Sequence, residues 1–409
     1  MTQDETVRRI MKAGGKRGLN CIAELDEEAV KHIGEASSLP LSGIPVLVKD
    51  NIDVKGLHTT AGSLALEDNI AREDAPVVRN LRRNGAVIIG KANMTEFANF
   101  VTQGMPGGYS SRGGRVIHAV NRKLSPSGSS SGSAVAVAAG IVPMAVGTDT
   151  SFSVIACAMH NGICGLKPPA GALSSEGIIP IARTLDSAGA MAANFTDTLK
   201  LYSAMRDEPL PELQPADPGK LRLAVNRANG DAFPAGYRDY MSRFLEKMKA
   251  CGTVIPEVNQ PAPPELMTIM KWEFRPMLEE YLRTSAASRK TLKEIVEYYE
   301  SHPKTMMKYG DTLLRAALDE TPGGLQGAPY LEAMETRRQA IARMNEEVGD
   351  CDAVLMTGPT SIMHLCGLPS VTVVSPEKDE DGVRRGLILY GTDELRLYRA
   401  ALAIEKVIQ

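Results

Sequence analysis

The sequence predicts an α/β protein whose sheet is covered by helices on both faces. Two short runs, Gly43–Val48 and Gly85–Gly90, are almost wholly apolar at consecutive positions. Successive side chains in a strand point to opposite faces, so such runs must be buried on both. They alternate with helical segments, the pattern of a sheet wrapped by helices. At 409 residues with 43% apolar and 23% charged side chains, the chain has the composition of a globular protein with a substantial core.

Along the chain, the first forty residues are expected to form two short helices, Glu5–Ala13 and Glu24–His32. The strand Ile44–Val48 follows and ends at Lys49-Asp50-Asn51. Asp74–Asn84 reads as a helix and Gly85–Gly90 as the second strand. Residues 107–133 are rich in Gly and Ser, hence loop. A helix of small residues begins at Ala134, with a strand at Met144–Thr148. Asn161–Leu166 and Gly177–Pro180 are expected to bound further sheet segments. Pro209, Pro211, Pro215 and Pro218 mark a linker, and Leu221–Val225 is a short strand. From there to about residue 348 the pattern is amphipathic helix. Met241, Phe244, Leu245 and Met248 fall at i, i+3, i+4 and i+7, as do Leu292, Ile295, Val296 and Tyr299. These stripes read as core packing. A strand at Ala353–Met356 precedes a hairpin of Ser370–Val374 and Leu387–Tyr390 around Asp381-Gly382. A helix from Glu394 to Ile408 ends the pattern.

Composition narrows the functional classes. Lys plus Arg (46) nearly balance Asp plus Glu (49), and the Arg pairs at 8–9, 82–83 and 384–385 are far apart. No basic stripe suited to a phosphate backbone results, so nucleic acid is not an expected partner. The six cysteines, Cys21, Cys157, Cys164, Cys251, Cys351 and Cys366, form no C-x-x-C and pair with no histidine. Metal binding is therefore not expected, and free thiols without a signal peptide point to the cytoplasm. The longest apolar stretch, Ala134–Val146, is broken by Gly140 and Pro143 and falls short of the roughly 20 residues of a membrane span.

Ser125-Pro126-Ser127-Gly128-Ser129-Ser130-Ser131-Gly132-Ser133 is the most informative segment. A flexible linker would not run directly into an Ala/Val helix and a buried strand. Hydroxyls and amides at a helix start suit a negatively charged ligand or a developing anion. Gly128-Ser129-Ser130-Ser131-Gly132 also matches G-x-S-x-G, but that nucleophile elbow needs a preceding strand, and Asn121–Leu124 makes a poor one. A phosphate loop would need Gly-Lys-Ser/Thr, which is absent.

Five ordered segments together resemble the amidase signature family. They are Gly43-Ile44-Pro45 leading to Lys49-Asp50-Asn51, the Gly/Ser run, Gly147-Thr148-Asp149-Thr150 ending at Ser153, Gly165-Leu166-Lys167-Pro168, and Leu185-Asp186-Ser187-Ala188-Gly189. The likeness is dense over 41–205, looser over 353–409, and nearest to the bacterial peptide amidases. It implies one domain over 1–409: a core of about 41–205 around a mixed, twisted sheet in α/β/α layers, a helical elaboration over 207–350, and a hairpin and helix over 351–409. It implies hydrolysis of linear amides without metal or organic cofactor through a Ser-Ser-Lys triad. By motif, Ser153 is the nucleophile, Ser129, 24 positions earlier, the bridging serine with a cis peptide, and Lys49 the base. The oxyanion hole would come from backbone amides of Thr150, Ser151, Phe152 and Ser153.

The chemistry is self-consistent. A serine hydroxyl needs a base within hydrogen-bond reach, and lysine serves only when neutral. Burial at the end of an apolar strand lowers its pKa from about 10.4. The competing reading for Lys49 is a salt bridge to Asp50. His58, His118, His160, His302 and His364 lie beside no nucleophile motif and read as structural or exposed, and His32 as lying on a helix surface.

The chain also departs from the pattern. Where the family has Gly-Gly or Asp-Gly before the nucleophile, this sequence has Ser151-Phe152. Phe152 could distort the oxyanion hole or wall the acyl pocket, and both readings stand at this point. Val154-Ile155-Ala156-Cys157 offers no cation for a carboxylate, so a neutral or apolar acyl group is expected, on a small or peptide-terminal amide. The stretch between Thr360 and Gly367 is short, which predicts an open pocket rim. A homodimer is open. Two alternatives remain: the A subunit of a tRNA-dependent amidotransferase, and a catalytically impaired relative that only binds ligands.

Overall fold

The computed structural model describes residues 3–322 and 324–409. Its centre is one mixed sheet of eleven strands. They are β1 (Ile22–Leu25), β2 (Pro45–Lys49), β3 (Val87–Ala92), β4 (Met144–Asp149), β5 (Cys164–Lys167), β6 (Ser187–Ala192), β7 (Leu223–Asn226), β8 (Glu257–Val258), β9 (Ala353–Met356), β10 (Ser370–Lys378) and β11 (Arg384–Tyr390). Across the sheet they run β1-β3-β2-β4-β6-β5-β10-β11-β9-β7-β8. β2 is parallel to both β3 and β4, and β7 to both β8 and β9; the other pairings are antiparallel.

The strand alternation sorts the core into layers. Val46, Val48, Met144, Val146, Leu223, Val225 and Leu355 face a cluster built on helices Pro76–Arg83, Phe195–Met205, Ala235–Ala250 and Glu394–Ile408. Leu47, Ile89, Ala145 and Met191 face the opposite side, against Ser131–Ala138 and Ile155–Asn161. Further along that side, Ala224, Val354, Met356 and Ile388 meet the helices of residues 265–348. This is the two-sided burial that consecutive apolar residues demand. Both helical stripes, Met241/Phe244/Leu245/Met248 and Leu292/Ile295/Val296/Tyr299, are buried.

Two expectations need correction. Glu24–His32 is not one helix. Ile22–Leu25 adds an antiparallel edge strand to β3, and only Glu27–Val30 is helical, started by the Asp26 carboxylate accepting the Ala29 amide at 3.0 Å. Pairing with β3 overrides a helical pattern that spans just two turns. Gly177–Pro180 makes no strand: Ile178 forms an isolated bridge to Ile52, and the Ile179 amide donates to Asn51 O at 2.8 Å. The segment instead runs beside Asn51–Asp53, just past the end of β2. Among the described residues no helix is long and apolar enough to cross a membrane.

Candidate active site

The site forms where two neighbouring parallel strands end. Val48 of β2 pairs with Val146 of β4, so Lys49 and the segment Thr148–Ser153 leave the sheet side by side at its carboxyl edge. In α/β sheets that edge is where ligands bind.

The Gly/Ser run is stitched to this edge by hydroxyls. Ser130 Oγ donates to Thr148 O at 3.1 Å and accepts the Thr148 amide at 3.3 Å. Ser133 Oγ donates to Val146 O at 2.9 Å. A Cβ on Gly147 would stand 2.6 Å from Ser130 Oγ, so the bare Cα is what lets the run close on the strand. The peptide Gly128–Ser129 is cis, and the Ser130 amide donates to Ser153 O at 3.3 Å. Thus 24 residues of sequence separation become contact between the two serine segments. Ser129 is fully buried, and Ser153 is 7% exposed.

Lys49 has no solvent exposure. Its Nζ lies 2.7 Å from Ser129 Oγ, 2.7 Å from Thr148 Oγ1 and 3.1 Å from Thr148 O. Burial pulls its pKa down to about 7, against the upward pull of Cys157, Asp149 and Asp186. Three oxygens thus surround the amine, and each accepts from Nζ. Asp50 is not its partner. That carboxylate faces Lys91 Nζ at 3.7 Å and Arg112 at 3.9 Å, and accepts from the Thr60 hydroxyl.

The turn into Ser153 is clamped on both sides. After it, Asp149 Oδ2 accepts the amides of Val154 (2.7 Å) and Ile155 (3.2 Å), anchoring the start of helix Ile155–Asn161. Before it, Phe152 sits at φ +69°, a conformation that costs a side-chain-bearing residue about 1–2 kcal/mol. The Phe152 amide donates to His364 Nε2 at 3.1 Å, and its ring meets the imidazole edge-on with centroids 4.4 Å apart. Of the four amides expected to receive an oxyanion, that of Phe152 is therefore engaged. Those of Thr150, Ser151 and Ser153 have no acceptor among the described residues. His364 is fully buried, on the short helix Ile362–Leu365. Sequence reasoning missed it: it lies 212 positions from Phe152, in a segment whose only visible signal was its shortness.

A narrow cleft opens at Thr148 and Thr150, lined also by Asn51, Leu173, Ile178 and Asp186 among others. The Asp186 carboxylate accepts the Thr150 hydroxyl at 2.5 Å and the amides of Ile181 and Ala182 at 2.8 and 3.1 Å. Burial nevertheless raises its pKa to about 6. Among the described residues, no lysine or arginine lines the cleft.

Known proteins resemble this chain over most of its length. A family model described as Amidase matches residues 11–369. A protein of Arabidopsis thaliana described as a probable amidase is 29% identical over 416 residues, 92% of this chain and 79% of its own length. The A subunit of the glutamyl-tRNA(Gln) amidotransferase of Exiguobacterium sibiricum is 29% identical, the match covering 98% of this chain and 92% of that protein. The crystal structure of the native peptide amidase of Stenotrophomonas maltophilia superposes with a TM-score of 0.88 at 30% identity, over 99% of this chain and 93% of that one.

Proposed function

The chain belongs to the amidase family and is an amidohydrolase acting on C–N amide bonds, and from that premise we propose that it works through Ser153, Ser129 and Lys49 on a neutral carboxamide. The observation that carries the reading is the 2.7 Å contact between Ser129 Oγ and a fully buried amine whose pKa is lowered to about 7. At neutral pH a large share of Lys49 is unprotonated and can take the Ser129 proton, while Ser129 takes that of Ser153. The Ser153 oxygen attacks the carbonyl carbon, and the oxyanion is received by the free amides of Thr150, Ser151 and Ser153; one such donor is worth about 10²–10³ in rate. The Lys49 ammonium then returns its proton through Ser129 to the departing amine, the C–N bond breaks, and Ser153 carries the acyl group as an ester. Water, deprotonated along the same relay, releases the acid.

The cleft supports a neutral or apolar acyl group. Leu173, Ile178, Ile179 and Ala188 supply apolar surface, and a carboxylate there would meet Asp186 with no lining cation among the described residues to offset it. A peptide-terminal amide fits this chemistry, as does a small carboxamide. The end-to-end likeness to the amidotransferase protein favours a second reading, in which the chain supplies ammonia to a partner.

Ammonia release from a panel of neutral and acidic amides tests the proposal, with a serine-reactive fluorophosphonate as a second probe. Turnover of neutral amides by the lone chain, lost in Ser153→Ala, with label on Ser153, is the expected result. Label on another serine, or a Ser153→Ala variant as active as the parent, ends the proposal. Activity appearing only with added partner proteins favours the second reading.

A further inference from the structure

We infer that His364 is a positioning residue for this hydrolysis: acting through the Phe152 amide, it holds the turn that presents Ser153. The inference rests on the reading of Ser153 as nucleophile.

Hydrogen bonding fixes the tautomer. His364 Nε2 accepts the Phe152 N–H, so in the neutral ring the proton sits on Nδ1. Nδ1 faces Asp149 Oδ1 at 3.4 Å, and neither atom has a closer partner among the described residues. Burial keeps the imidazole neutral, its pKa pulled down to about 4 despite Asp149. Asp149 therefore borders both sides of the turn that carries Ser153. One carboxylate oxygen grips the two amides after Ser153, and the other faces the imidazole that grips the amide before it.

This answers the question raised by Ser151-Phe152. A residue with a side chain is held in the left-handed region, where glycine would rest without help. The side chain that strains the backbone also supplies the ring that packs against His364. In addition, the imidazole withdraws one of the four candidate oxyanion amides. The oxyanion hole is thus built from Thr150, Ser151 and Ser153.

A double-mutant cycle on the full chain tests this, with Ser153→Ala as the control for the underlying reading. His364→Ala should lower kcat about 100-fold, the scale expected when a reacting group shifts by about 1 Å, with KM changed less than about threefold. In a Phe152→Gly background, where no clamp is required, the same substitution should cost less than about fivefold. His364→Gln, whose amide oxygen can accept the Phe152 N–H, should recover most of the loss, which also covers a poorly folding alanine variant. Equal losses in both backgrounds would show that His364 merely fills space, and they overturn the inference. So does a His364→Ala kcat at the parent value while Ser153→Ala is inactive, an outcome that leaves the nucleophile assignment intact. A Ser153→Ala variant that turns over normally sinks the nucleophile reading, and this inference with it.

Discussion

Two lysines on adjacent strands, Lys49 at the end of β2 and Lys91 near the end of β3, occupy neighbouring regions of the same edge and meet opposite surroundings. Both are fully buried, and in both burial lowers the pKa. Lys91 donates to His58 O at 2.8 Å and Thr59 Oγ1 at 3.0 Å and faces the Asp50 carboxylate, with Asp53 and Glu24 also favouring its charge. Among the described residues Lys49 hydrogen-bonds only to neutral oxygens, and its distant carboxylates do not prevent a fall to about 7. Burial alone does not make a base. What separates the two is that the strand end assigns the adjacent carboxylate, Asp50, to the other lysine.

The largest effect expected from this comparison is a split between activity and stability. Lys49→Met should lower kcat/KM by about 10³-fold or more, since the proposed relay loses its proton acceptor, while the fold is unharmed because no buried charge is orphaned. Lys91→Met should do the reverse. It removes the closest cation from a buried carboxylate and should destabilise the fold by about 3 kcal/mol, with kcat per folded molecule retained. Denaturant midpoints measured alongside kcat/KM read both. A Lys91→Met variant that is stable but inactive would break the comparison.

The next effect is pH dependence. In the proposed relay Lys49 must be neutral to act, so kcat/KM should rise tenfold per pH unit below about 7 and level off above it. The stability linkage has the same direction. The folded-state pKa of about 7 lies below the ordinary 10.5, so between those values the unfolded chain binds the extra proton. The Lys49 contribution to stability therefore rises with pH across that window, and below about 7 the fold carries the full cost of a buried ammonium. A flat rate profile between pH 5 and 9 would show that the amine is not the group that titrates in the rate.

Much of this was legible in the sequence, for local reasons. A run of apolar residues ending in Lys49 places that amine at a buried strand end, and Gly128–Ser133 before small residues predicts a helix closing on a strand. Residues far apart in sequence were not legible. The Asp50–Lys91 pairing depends on parallel register between β2 and β3. His364 sits on one turn of helix that only the assembled sheet brings beneath Phe152. The first two residues of the expected helix Glu24–His32 belong to edge strand β1, because the strand's partner, not its own composition, decides its conformation.

Thr148 offers the smallest effect and sharpens the comparison furthest. Its hydroxyl lies 2.7 Å from Lys49 Nζ and also accepts from Asn51 Nδ2 at 3.1 Å. A hydroxyl acceptor favours an ammonium over a neutral amine, as Asp50 does more strongly for Lys91. Thr148→Val keeps the shape and deletes the acceptor, so the Lys49 pKa should fall further. The acid limb of kcat/KM should then move down by about one pH unit, on the scale of one hydrogen bond to a charged group. The plateau should fall about tenfold or less, because the amine keeps Thr148 O and Ser129 as neighbours. A limb moving upward would mean that the hydroxyl had been holding the neutral form. The contrast between the two lysines would then lie in the hydroxyl's orientation rather than in which of them owns the carboxylate.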